Sequence, residues 1–433
     1  MGRLQLGAES SDDERDKNAN SPKPHLSTPP TTPNLSEKVA SYMKAIVLHG
    51  KQDLRYVTDY PKPEPKAGEV LLRMTYTSIC QTDIEMWQHG MFNWGGKPHI
   101  QGHEAAGIVE ELGEGVTGIE VGTRVAVENV RTCGTCFFCR KGTSQLCENG
   151  RNFGFSDDGG LAEFGVWPAS LCIPLPDNMT NEEAPLAEPT SVAVHAVENA
   201  QVTVGETAAV IGCGVVGLCT LQVLKAAGLT VVAIDPREQS LAIARELGAD
   251  ATLNPNEADV ATLLPKISDA LRAGRALSSL PEWAASQTGD QVTKVTPRAN
   301  VKTNDDKVAD APVRRSPYYG PDVVIETAGA KNTATDAAAW VRRGGRAVIV
   351  GFSHQDQDGI NFGRAHMGEK TVVGSSATSH DGYRKAVALI ASGAVNVKPL
   401  ISALVPLDQG IQDGFERMLK PEKDVYRILV GNG

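Results

Sequence analysis

The chain of 433 residues contains no apolar run of about 18 residues or more, so it holds no candidate membrane-spanning helix. Basic residues are in deficit too: 42 lysines and arginines against 52 aspartates and glutamates leave a net charge of -10, which disfavours a nucleic-acid surface. The N-terminal stretch lacks the apolar core of a secretory signal, and its acidic cluster at Asp12, Asp13, Glu14 and Asp16 argues against a mitochondrial transit peptide. These absences point to a cytoplasmic protein whose cysteines stay reduced. They leave 41% hydrophobic and 22% charged residues, an ordinary composition for a soluble enzyme long enough to form two domains.

What the chain does have is a cysteine cluster. Cys133, Cys136, Cys139 and Cys147 follow a C-x2-C-x2-C-x7-C spacing that gathers four thiolates into one short loop, with small residues such as Gly134 and Thr135 between them. Tetrahedral zinc takes four sulfur ligands, so the loop is read as a structural zinc cage, against the alternatives of two disulfides or four unlinked thiols. A second set of ligand types is scattered: Cys80 in ICQTD, His103 and Glu104 in QGHE, and Glu188 in LAEP. Any one alone means little, since a lone cysteine is more often a small buried hydrophobe. Together they describe a catalytic zinc site with a position left open for water or substrate.

The third element is VIGCGVVG, which sets Gly212, Gly214 and Gly217 in GxGxxG register around Val216. It follows the apolar run Thr207 to Ile211 and opens a helical stretch from Val215 to Ala227, the strand, turn and helix that dinucleotide binding requires. The next apolar strand ends at Asp235, whose carboxylate can accept the ribose hydroxyls of NAD and would repel the 2'-phosphate of NADP. Arg237 nearby softens that discrimination.

In this order the motifs resemble the zinc-containing medium-chain dehydrogenase/reductase family, from about Met43 to the C-terminus. The segment Glu188 to Ala196, EPTSVAVHA, is similar to the sorbitol, threonine and butanediol dehydrogenase branch, where the third catalytic ligand is glutamate rather than cysteine. The resemblance implies an α/β protein made of a GroES-like β-rich catalytic domain and a Rossmann doubly wound parallel sheet. It implies NAD and two zinc ions per chain, an alcohol or ketone as small-molecule partner, and a homodimer or homotetramer. Thr82 matches the family hydroxyl that starts the proton relay, and Asp83 the carboxylate that orients the catalytic histidine.

The organisation along the chain agrees. Residues 1–42 are proline-, serine- and threonine-rich and read as a disordered tail. Short β-rich runs from Lys44 suit an antiparallel barrel-like domain over 43–189. Alternating strands at 207–211, 230–234, 322–326 and 346–350 with intervening helices suit a Rossmann domain over 190–353, and 354–433 returns to the first domain with a helix at 386–393 and the strand VYRILV. Between a strand at 251–255 and the one at 322–326 a single helix, Val260 to Leu271, suffices, which leaves about 273–319 as an insertion, read as disordered rather than as a lid.

Departures from the family pattern bear on the substrate. Gln81 replaces a frequent glycine, Glu85 occupies the place of a distal relay histidine, and GSSATS after Val373 lacks the arginine by which sorbitol dehydrogenases hold substrate. The loop expected from Met86 to Trp94 supplies Met86, Trp87, Met91, Phe92 and Trp94 as candidate lining of an apolar pocket.

Overall fold

Apolar strands buried on both faces form the parallel sheet, and their side chains alternate between two cores. In the computed structural model, which describes residues 41–92, 96–274, 320–352, 359–360, 362–420 and 425–432, six parallel strands lie in the order Ala251–Leu253, Thr230–Ile234, Thr207–Ile211, Val323–Glu326, Arg346–Ile349, Thr371–Gly374. Ala208, Val210, Val231, Ala233, Val323 and Ile325 face one core, while Ala209, Ile211, Val232, Ile234 and Val324 face the other. Helices Ala187–Asn199 and Val215–Ala226 cover the first face and Val260–Arg272 the second, the arrangement of a doubly wound sheet. Buried Asp322 accepts hydrogen bonds from Thr207, Arg272 and Arg342 beside the central strands. Burial alone would raise its pKa, but these partners hold it at about 2.

The β-rich part is built on the strand Glu69–Ser78, whose near-continuous burial marks it as central rather than half-exposed. It pairs antiparallel with Glu104–Leu112, with Phe164–Pro168 and with Arg427–Gly431, the last strand of the chain. Tyr42–Gly50, Asp53–Pro61 and His99–Ile100 form a second, three-stranded sheet. Among the described residues no helix is long and apolar enough to cross a membrane.

Several local expectations shift. The helix read at 386–393 begins six residues earlier, at His380, because Ser379 caps it through its side chain and the Gly382 amide. The strands read to 255 and 350 end at Leu253 and Ile349. The loop read from Met86 to Trp94 starts as helix: Gln81–His89 is α-helical and ends at Gly90 in the left-handed conformation. Helical spacing turns Met86 and Trp87 into the core, Trp87 meeting Phe415 edge to face, so both are buried in packing and not presented on an open loop. Trp94 and residues 275–319 of the insertion lie outside the described residues, as do residues 1–40 of the tail.

Candidate active site

Cys80 lies two residues past the strand Glu69–Ser78 and caps the start of the helix Gln81–His89. Asp83, in the first turn, reaches back so that one carboxylate oxygen accepts the Cys80 N–H at 2.8 Å, satisfying a free amide at the helix start. Its other oxygen stands 3.4 Å from Nδ1 of His103. Both residues are fully buried. Burial disfavours a charged imidazole, yet Asp83 and Cys80 outweigh it and raise the His103 pKa well above the usual range. Thr82 Oγ1 lies 3.6 Å from Cys80 Sγ.

Cross-strand register brings the next ligand type in. Glu104 opens its strand directly opposite Ser78, whose hydroxyl donates to it. Cys80, His103 and Glu104 thereby offer donor atoms that all lie within 4.8 Å of one another. Glu188, second residue of the helix Ala187–Asn199, stands outside that cluster; Asn129 donates to its carboxylate at 3.4 Å. Burial pushes the Glu188 pKa up to about 7, with Glu104 and Asp83 adding to it and His103 and Arg427 opposing it.

Arg427 is the residue that motif reading overlooks. Its guanidinium grips Glu104 with two bonds of 2.9 and 2.8 Å and lies 3.6 Å from Cys80 Sγ. Burial works against this charge, but Glu104 and Cys80 raise the arginine pKa further. An arginine opening an otherwise apolar strand, RILV, is the signal that could have found it, because a fully buried cation demands an anionic partner. Ser78 and Asn129, neutral and without a motif, gave no such signal.

The four-cysteine loop is gathered as expected. Sγ–Sγ distances of 4.0 Å for Cys133 and Cys139 and 3.9 Å for Cys136 and Cys147 match the edge of about 3.8 Å that tetrahedral zinc with bonds of ~2.3 Å requires. None of the four is disulfide-bonded. Backbone amides of Cys133, Cys136 and Cys139 point at sulfur, and the Thr135 backbone N–H first of all lowers the Cys133 thiol to about 5. The donor sets thus fit a closed thiolate site and a mixed site of thiolate, imidazole and carboxylate.

The glycine turn sits where the parallel sheet changes direction, between Thr207–Ile211 and Val323–Glu326, the crevice that takes dinucleotides. Gly212 has φ +94° and packs so tightly on Ala328 that a Cβ would come within 2.9 Å. A Cβ on Gly217 would meet the Gly212 carbonyl at 1.8 Å, whereas one on Gly214 would meet no protein atom within 4 Å. Protein packing therefore dictates the first and third glycines and leaves a cradle at the second, where a pyrophosphate fits. Val216 lies in the first turn of the following helix. Asp235 is buried, and its carboxylate accepts from the Cys213 amide at 2.7 Å, the Arg237 amide at 2.9 Å and the Arg237 guanidinium at 3.0 and 3.1 Å.

A β-rich part carrying a thiolate, imidazole and carboxylate cluster, together with a Rossmann-type sheet that has an open glycine cradle, suits a dinucleotide-dependent oxidoreductase. Residues 66–177 match the family model described as alcohol dehydrogenase GroES-like domain, and residues 215–277 and 285–392 match the zinc-binding dehydrogenase model. The chain is 32% identical over 395 residues to Probable D-xylulose reductase A of Neosartorya fischeri, covering 89% of this chain and 96% of that protein. It is 31% identical over 383 residues to human sorbitol dehydrogenase, covering 87% and 92%. The crystal structure of 2R,3R-butanediol dehydrogenase from Bacillus subtilis superposes with a TM-score of 0.74 at 26% identity, over 90% of this chain and all of that one. The chain belongs to the zinc-type medium-chain dehydrogenases, in their sorbitol dehydrogenase-like branch, and is an oxidoreductase acting on alcohols.

Proposed function

We propose that this protein is a zinc-containing, NAD-dependent dehydrogenase of secondary alcohols, working as a homodimer or homotetramer. The observation that carries the reading is the convergence of Cys80, His103 and Glu104, with the Thr82 hydroxyl beside the thiol. Cys80, His103 and a carboxylate would hold the catalytic zinc, and Cys133, Cys136, Cys139 and Cys147 the structural one. When bound, the metal supplies a Lewis acid for the substrate oxygen and NAD accepts the hydride from the carbinol carbon. Asp83, 3.4 Å from Nδ1 of His103, would orient the imidazole so that the other ring nitrogen is the one to hold the metal. Thr82 Oγ1 would accept the hydrogen bond of the substrate hydroxyl and, as that proton moves to it, release its own to solvent, so that the hydroxyl starts a relay and gains no net proton. Thr82, Glu85 and His89 fall on one face of the helix, and Glu85, 3.7 Å from exposed His89, stands where the distal relay histidine would be.

Two carboxylates compete for the third ligand position. Arg427 and Ser78 already occupy both oxygens of Glu104, whereas Glu188 has one long contact from Asn129. Glu188 is therefore the exchangeable carboxylate. Glu188→Gln should lower kcat/KM by about 10- to 100-fold and cost the protein its more weakly held zinc, with the cysteine site still loaded. Wild-type activity with both metals retained would make Glu188 structural only.

The nucleotide preference rests on Asp235. Arg237 sits on that carboxylate and favours a second reading, NADP, because its guanidinium neutralises the charge that would repel a 2'-phosphate. The deciding experiment is kcat/KM for a panel of secondary alcohols with each nucleotide. NAD should be preferred, and Asp235→Ser should erode the preference by roughly tenfold or more. A wild-type preference for NADP contradicts the assignment, and no turnover with either nucleotide contradicts the dehydrogenase itself.

A further inference from the structure

A row of polar side chains runs along one face of the mostly apolar helix Ala187–Asn199. Glu188, His195 and Asn199 follow one another at spacings of seven and four residues, which helical geometry stacks on one side. Each meets a different part of the molecule. Glu188 faces Asn129 of the β-rich part, His195 faces Gln145 of the four-cysteine lobe, and Asn199 faces Ser375 at the end of the parallel sheet. Gln145 stands two residues before Cys147, so the lobe meets the helix directly through its ligand loop.

His195 joins these contacts. The side-chain amide nitrogens of Gln145 and Asn199 stand 3.5 and 3.2 Å from the same ring nitrogen, Nε2. As the amides are oriented, two donors converge on one atom, so Nε2 accepts and the imidazole is neutral with its proton on Nδ1. Burial holds the His195 pKa below the usual value, against the pull of Glu198, in keeping with that state. Gln145 reaches the ring at a cost, since its side-chain oxygen is buried without a partner. Asn199 then donates to the Ser375 hydroxyl at 2.9 Å, which completes an unbroken chain from the lobe to the sheet.

Ser375 is buried at the nucleotide edge of that sheet. It follows the strand Thr371–Gly374, and its amide donates to the Ile349 carbonyl at 2.8 Å, at the same carboxyl edge as the glycine turn. Asp235 follows the strand Thr230–Ile234 on one side of that turn and takes the adenosine ribose in the proposed reading. The nicotinamide half must therefore extend the other way, across the ends of Val323–Glu326, Arg346–Ile349 and Thr371–Gly374. The turn that Ser375 opens depends on its anchors. Ala377 has φ +56°, a left-handed conformation that a residue with a Cβ adopts unfavourably, so the surroundings must hold it. Asn199 holds one end of the turn through Ser375, and Ser379 holds the other by capping the helix His380–Ala391.

We infer that His195 is a positioning residue that ties the four-cysteine lobe to the Ser375 turn beside the nicotinamide half of the crevice, so that an intact lobe tightens nucleotide binding. This inference rests on the dehydrogenase reading. The helix itself stays in place without the imidazole, because Ala193, Val194, Ala196 and Val197 hold it in the larger core. The test is calorimetric binding of NAD and of NADP to the full-length, zinc-loaded protein, beside kcat at saturating nucleotide and a thermal melt. His195→Leu should weaken binding of the preferred nucleotide by about fivefold or more and leave kcat within about threefold. His195→Gln, whose amide oxygen can accept in place of Nε2, should recover most of the loss. Gln145→Ala, a change within the lobe, should weaken binding in the same direction and carries the test alone if His195→Leu does not fold. The double variant should bind no worse than His195→Leu, because both changes break one chain. Unchanged affinity in Gln145→Ala, losses that add in the double variant, or no recovery with His195→Gln overturns the inference while the dehydrogenase reading stands. Wild type that binds neither nucleotide overturns both.

Discussion

His103→Ala should abolish alcohol oxidation in a protein that still folds. The imidazole is one of three donors in the proposed catalytic cluster, and the buried Asp83 carboxylate stands 3.4 Å from its Nδ1. Without it the proposed metal site would lose a ligand, and with it the Lewis acid that would stabilise developing charge on the substrate oxygen, an effect on the order of a thousandfold or more in kcat/KM. The fold has little reason to fail. His103 stacks obliquely on Phe155 at 4.8 Å, but the strands that carry the site are held by the ladder between Glu69–Ser78 and Glu104–Leu112. Steady-state kinetics beside a thermal melt separates the two effects. Activity within tenfold of wild type would remove His103 from the chemistry.

Cys136→Ser should do the reverse, costing stability and sparing the chemistry. The helix Phe137–Lys141 and the turn Ser144–Leu146 bury none of their residues, and Phe137 is largely exposed. This lobe therefore has no apolar core of its own, and its cohesion depends on what the four sulfurs hold. Removing one thiolate opens a closed site that contributes folding energy directly. We expect the melting temperature to fall by roughly 5–10 °C and the lobe to become sensitive to protease, with kcat of the folded fraction within about threefold of wild type. An unchanged melt would mean that the sulfurs hold nothing.

Sequence spacing made the ligand types legible because metal sites and dinucleotide turns place chemically rare residues at fixed offsets. Cys80, Thr82, Asp83, His103, Glu104 and the four clustered cysteines could be named that way, as could Gly212, Gly214 and Gly217. What spacing could not say is how a side chain is already occupied. Asp235 looked like a free ribose acceptor, yet Arg237 and the Cys213 amide hold its carboxylate. Glu104 and Glu188 looked equivalent, yet Arg427, 323 residues beyond Glu104, grips Glu104 and so distinguishes them. The pocket-lining reading of Met86 and Trp87 gave way because a nine-residue helix was taken for a loop, and helical rather than extended geometry decides which way those side chains face. Phe92, from the same stretch, meets a partner on the other side of the cleft.

Metal analysis coupled to activity tests the central claim most directly. The purified chain should carry two zinc ions, one for each ligand group. A graded chelator should remove the carboxylate-containing site first, since carboxylate holds zinc less tightly than thiolate. Activity should vanish with that first ion and return when zinc is restored, while the four cysteine thiols stay protected from alkylation throughout. Full activity in protein holding one zinc or none, or activity that follows the loss of the cysteine-bound ion instead, would contradict the account.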